Sequence, residues 1–384
     1  MINSVMIALW VGATSLGATI PERDVQHQER VFQTHWGTEF EWRFDALPTQ
    51  GGVSTERIPY SGYIYPDRSG GTISAMRAYD RSFHGGVSRA AAWEDWDNNR
   101  YQQPVTEAGG VLRRRQVTRI AIPAWHGHCN GWAAAAIRHA EPQRSVTRNG
   151  VVFSPATIKG LLAELYIYNG YEDLSGSSRL ISAPLLHAVV ANWIGRGSHP
   201  LGLEADPGEE RWNYPAYAFN SSSQRLNDRQ VEVRMTLVYA RDSRGEYQAS
   251  PRSRGSRTFH YRLDLNERGE IMGGAFYRTS SRVAMLWLPL HPRPPGTEGH
   301  RRGNPHLDVD EVLSIWRDSV PEETRRHWLV VDPAPQDRYV VDSEVEGLIP
   351  LAYGPPEEAG ETEDGNPDRD EELVLEETGQ ESAT

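Results

Sequence analysis

The chain is poor in three things that would each have pointed to a class. It has a single cysteine in 384 residues, which excludes an internal disulfide framework. It has no excess of positive charge: 40 Lys and Arg stand against 52 Asp and Glu, a net −12. A nucleic-acid partner would want a basic face, so that partner class is set aside. It has no apolar run of membrane-spanning length, so an integral membrane protein is not expected. There is also no phosphate-binding glycine loop, no EF-hand-like loop and no internal repeat. Lys159 is the only lysine, and arginine carries nearly all the positive charge. Apolar content is low at 38%, but twelve tryptophans and sixteen tyrosines supply core material. The length suits two or three domains.

What is present begins with an apolar stretch from Val5 to Ala18, of signal-peptide length. Residues 1–18 are expected to be an export signal, which makes the protein secreted or periplasmic. Residues 19–115 read as an N-terminal region: polar with scattered aromatics to residue 60, then an extended or looped stretch from Ile58 to Gly71, with a short helix at Ala90 to Asn99. A catalytic domain is expected over 116–345. Ser154-Pro155 caps a helix through Ile158, Leu161, Leu162 and Leu165, and a second helix runs from Ser182 to Gly195. Gln230 to Tyr239 and Thr258 to Leu265 alternate as strands, and Glu270 to Tyr277 reads as the hairpin partner of the latter. Asp308 to Arg317 and Glu322 to Trp328 look like closing helices. Residues 346–384, rich in Glu, Asp, Gly and Pro, are expected to be a disordered acidic tail.

The cysteine stands in Trp125-His126-Gly127-His128-Cys129-Asn130-Gly131-Trp132, followed by four alanines. Glycine and asparagine interrupt the chain just before a run of high helix propensity. Cys129 is thus expected at a helix N-terminus, where free N–H groups and the macrodipole favour an anion and lower a thiol pKa. A helix-borne cysteine with a histidine on a later antiparallel strand is the plan of papain-like cysteine enzymes. The thiolate attacks an acyl carbon, the imidazole moves the proton, and a third group orients the imidazole. His260 is one candidate base, on the polar face of its strand. His187, near the apolar stripe of the second helix, is the other. If residue 265 faces 270, His260 faces Ala275. Asp264 lies four residues along, roughly 13 Å away. The orienting group stays unassigned. His126, His128 and Cys129 also include metal-binding atom types, but no fourth ligand follows, and a zinc site is not expected. Asp206 to Tyr217 is a second dense motif, read as a rigid exposed loop or an aromatic wall beside a cleft.

Together these residues resemble the oomycete and bacterial transglutaminase elicitor family. Gly127 to Ala136 resembles the stretch that holds the family's nucleophile. Trp212, Asn213 and Pro215 look like its short elicitor epitope, and Trp125, Asn130 and Trp132 complete the pattern beside the cysteine. The resemblance implies an α+β fold with a papain-like core, secretion, and calcium-dependent acyl transfer from protein glutamine to protein lysine. Cys129 would form the thioester and His260 would act as base. Partners would be proteins with exposed Gln and Lys. Where relatives read Gly-Gly-Glu-Trp, this chain reads Gly273-Gly274-Ala275-Phe276. A papain-like cysteine protease and a catalytically impaired relative acting in recognition are the competing expectations. The single lysine suits a crosslinking enzyme that offers no acceptor amine of its own; codon usage would produce it equally.

Overall fold

The structure is a computed structural model and describes residues 18–99 and 122–325. The expected signal segment up to residue 17, the boundary at 115/116 and the acidic tail lie outside the described residues. In chain order the first half runs β1 (Ala18–Thr19), α1 (Glu22–Trp36), β2 (Gln50–Gly52), α2 (Ile73–Phe83), α3 (Ala90–Asn99), α4 (Cys129–Arg138), β3 (Val146–Arg148), β4 (Val151–Phe153) and α5 (Pro155–Tyr166). The second half runs β5 (Tyr171–Asp173), α6 (Ala183–Val190), β6 (Leu201–Glu204), β7 (Asn213–Asn227), β8 (Gln230–Ala240), β9 (Arg254–Leu265), β10 (Ile271–Phe276), β11 (Met285–Pro289) and α7 (Val309–Ser319).

The alternation in β8 puts Val231, Val233, Met235 and Leu237 on one face, all fully buried. Phe259, Tyr261, Leu263 and Leu265 of β9 join them, and α1 and α6 cover this face through Val31, Phe32, Leu186 and Val189. The main sheet is antiparallel throughout, in the order β1-β10-β9-β8-β7-β6-β11-β5, with β2 added on β7. The α+β class is as expected. The hairpin register is not: a bulge between Ile271 and Gly273 sets Ala275 opposite Arg262, and the Tyr277 N–H reaches the His260 carbonyl. Leu265 pairs with Ile271 rather than Glu270, and the bulge adds one more residue, so Ala275 stands two positions from the place the simple hairpin count assigned to it.

A second apolar cluster joins α2, α4, α5 and α7, with Trp287 of β11 on its edge. Ser154 caps α5 by accepting the Thr157 N–H, with Pro155 in the first turn. Eleven residues of that helix are buried, not only the apolar stripe through Ile158, Leu161, Leu162 and Leu165. Helices cover it on one side and the loop after β8 on another. α4 lies between α5 and the strands β6, β7 and β11. Gly131 is what allows it: a Cβ there would stand 2.2 Å from the Ala163 carbonyl oxygen of α5. Ala133 to Ala136 continue that thin face, all buried. Among the described residues no helix is long and apolar enough to cross a membrane.

Candidate functional site around Cys129

α4 begins at Cys129, with His128 as the residue before it. These neighbours point into different surroundings. The sulfur faces the start of β7: its S–H donates to the Arg211 carbonyl (3.5 Å), and the Asn213 side-chain amide donates to it (3.8 Å). The backbone N–H groups of Asn130 and Asn213 also act on it. Trp287 Nε1–H donates to Asn213 Oδ1 (3.1 Å) and fixes that amide. Cys129 is 4% exposed. Burial pushes the thiol up, and the donors from Asn213 and Asn130 offset only part of it. The lowered thiol expected from the helix start is therefore not what the fold produces. Desolvation outweighs the backbone dipoles because Arg211 and Asn213 close over the sulfur.

The structure brings together two motifs that lie some eighty residues apart in sequence. Of the first, Asn130 donates to the Ile167 carbonyl (2.7 Å), and Trp132 is buried with its indole N–H on the Tyr60 carbonyl (3.2 Å). Trp125 is half-buried against His126. Of the second, Asn213 is buried beside the sulfur and Pro215 is buried in β7 opposite Gly202. Trp212 is half-buried and bonded to Glu210 (3.2 Å). The exposed-loop expectation therefore holds for 207–211 but not for Asn213 and Pro215, which pair within the sheet.

Neither expected base reaches the sulfur. His260 on β9 pairs with Arg234, which pairs with Ser222 of β7. Ser222 is nine residues along β7 from Asn213, roughly 30 Å at strand rise. The His260 ring instead bonds Glu232 of β8 (2.8 Å) and stacks on Tyr277. The orienting carboxylate sought on β10 comes from the opposite neighbour strand. His187 is a core side chain: 2% exposed, its Nδ1 2.8 Å from the Tyr261 hydroxyl, stacked on Phe44. Burial lowers its pKa to about 4, so it is neutral.

The His128 ring turns away from Cys129, into the helical layer. Its Nε2 lies 3.0 Å from Glu164 Oε2 and 3.4 Å from Glu94 Oε1, while Asp67 Oδ1 faces Nδ1 at 3.6 Å. Glu94, His128 and Glu164 are all buried. Thr72 donates its N–H to Glu94 (2.9 Å) and its hydroxyl to Glu164 (2.6 Å). Asn98 donates to Glu94 (3.0 Å) and Asn304 to Glu164 (3.2 Å). Burial alone would discharge His128, but the two carboxylates outweigh it and hold the ring protonated. Glu164 is pushed up by burial and by the charge of Glu94. Sequence reading passed over Glu94 and Glu164. The available signal was a charged residue beside the apolar positions Leu161, Leu162 and Leu165 of α5. Calcium, implied by the resemblance, takes an all-oxygen shell of six to eight ligands; a group built around an imidazole does not fit it.

A model of the family described as transglutaminase elicitor matches residues 82–171, a stretch holding α3, α4 and α5 with Glu94, His128, Cys129 and Glu164. The fold is similar to the crystal structure of the GP42 transglutaminase from Phytophthora sojae, at a TM-score of 0.60 and 19% identity. The match covers 79% of this chain and 99% of that one. No curated protein matches. Over residues 82–171 this chain therefore matches the pattern of the transglutaminase elicitor family that the cysteine motif resembles.

Proposed function

We propose that this chain is a secreted cysteine acyltransferase of the transglutaminase type. The observation that carries the reading is Cys129 Sγ at the first residue of α4, beside the N–H groups of Asn130 and Asn213, inside the stretch matching the family. The Cys129 thiol gives up its proton as sulfur attacks a glutamine carboxamide carbon; the C–N bond breaks and ammonia leaves carrying that proton. The thioester C–S bond then breaks as a lysine amine takes the acyl group, and the proton lost by the amine restores the thiol. The donors that now face sulfur are placed to stabilise the oxyanion on the way. A helix opening on the nucleophile and packed against β6, β7 and β11 supports the papain-like arrangement. Export rests on residues 5–18.

Lys159 supports the reading. Its ammonium is held by Glu141 (2.6 Å), the carbonyls of Tyr247 (2.9 Å) and Gln248 (3.2 Å), and the Ser250 hydroxyl (2.8 Å). At 5% side-chain exposure, the one lysine in the chain is withdrawn as an acceptor.

The closed, neutral sulfur favours a second reading, a recognition protein without turnover. One experiment separates the two. The protein is incubated with a glutamine-donor protein and a fluorescent primary amine, with calcium and with chelator, beside Cys129→Ala. Amine incorporation that falls at least ~10³-fold in the variant supports the transferase. Peptide cleavage without incorporation supports a protease. Neither activity, with Cys129 refusing iodoacetamide at neutral pH, supports recognition.

A further inference from the structure

We propose that Glu94, His128 and Glu164 form a buried site for one divalent first-row transition ion of the zinc class, behind the start of α4. Among the described residues these three bring ligand atoms of His and Glu within 4.8 Å of one another. For metal bonds of about 2.1 Å, neighbouring ligands on one ion stand about 3.0 to 3.4 Å apart. The His128–Glu164 and His128–Glu94 separations are 3.0 and 3.4 Å. Three further observations point the same way.

First, the group is left short of a donor. Glu94 is fully buried, yet its Oε2 has no hydrogen-bond partner, and neither does Asn98 Oδ1 beside it. Buried acceptors in that state are rare and costly. Second, the surroundings resemble the outer layer of a metal site. A ligating histidine usually offers its other ring nitrogen to a carboxylate, and ligating carboxylates are themselves hydrogen-bonded. Here Asp67 faces His128 Nδ1, while Thr72, Asn98 and Asn304 hold the two glutamates. Third, the backbone leaves space beside the carboxylates. Gly71, at φ +52, makes the room, since a Cβ there would stand 2.1 Å from Glu94 Oε1.

One imidazole with two carboxylates suits Zn²⁺, Mn²⁺ or Fe²⁺ better than calcium. The ion takes the place of the proton on His128 Nε2, and that proton goes to solvent. The bound ion then ties α3 and α5 to the residue preceding the nucleophile. The inference is independent of the acyl-transfer reading, because binding is read without turnover.

The chelator-treated full chain is titrated with Zn²⁺, Mn²⁺ and Ca²⁺ by calorimetry, and metal content is counted by mass spectrometry. The expected result is one Zn²⁺ per chain and no calcium bound at this group. The expected rise in Tm is roughly 5 °C at a hundredfold excess over Kd. Glu94→Gln and Glu164→Gln, checked for native fold by near-UV circular dichroism, weaken Zn²⁺ binding at least ~10-fold. Co²⁺ substitution gives visible bands without a sulfur charge-transfer band, which keeps Cys129 outside the ligand set. Wild-type protein that takes up no Zn²⁺, or folded glutamine variants that bind as wild type does, or a sulfur band, would each overturn the proposal.

Discussion

Two histidine–glutamate pairs in this molecule look alike on paper. His260 bonds Glu232 at 2.8 Å and His128 bonds Glu164 at 3.0 Å. The first lies on the polar face of a strand, the side chains 19% and 29% exposed. The second lies between helices at 1% and 0%, next in sequence to Cys129. Solvent screens the first pair, so it carries little energy. The second is removed from water, so its members depend on one another. Proximity of acid and base therefore says less than the medium between them.

The largest test of that contrast is His128→Ala. It leaves Glu94 and Glu164 buried without their cation and is expected to cost about 3–5 kcal/mol, read as a lower denaturant midpoint. A cost under 1 kcal/mol would mean the helical layer solvates its charges as well as the surface does. Next is a third histidine, His187, which has no acid partner. Its pKa falls from 6.5 to about 4 because burial disfavours the charged ring. The unfolded chain takes up this proton near 6.5 and the fold resists it. Stability from this group is thus complete above 6.5 and lost as pH falls through 4, on the order of 3 kcal/mol. His187→Gln should flatten that acid slope in denaturation curves run from pH 7 to pH 4. The smallest effect is expected of His260→Ala: at most about 1 kcal/mol, with amine incorporation unchanged. A loss of incorporation there would restore His260 to the site and undo the register argument.

Sequence pattern gave up α3 through α7 and the alternating strands β8 and β9, although α3 buries Glu94, Asp97 and Asn98 beside its alanines. It gave no sign of α1, whose buried face has helical spacing but polar content. Asp24, Gln28, Val31, Phe32 and His35 make that face. Gln28 donates to the Leu174 carbonyl and Asp24 accepts from the Ser177 N–H. Such partners come from loops more than a hundred residues away, so no local pattern announces them. β7 was hidden for a related reason. Its aromatic and proline-rich start looks like a loop, and its second half from Ser221 is too polar to read as a strand. Pairing with β8 over its whole length supplies the order that composition does not. Of the candidate site, Cys129 and Asn213 were both named from sequence, but as parts of separate motifs.

The residues alone determined where the cysteine stands: glycine and asparagine beside an alanine run start a helix at Cys129, and the sequence holds no other cysteine. They also carried the resemblance to the transglutaminase elicitor family, whose model matches residues 82–171. Only the tertiary structure decided the state of the sulfur and the company it keeps. Helix dipoles act over one turn and can be read from local sequence, whereas desolvation depends on what packs across the site. Here the start of β7 closes over the thiol and raises its pKa. The same packing sent the neighbouring imidazole toward two glutamates on α3 and α5, elements joined only by the fold.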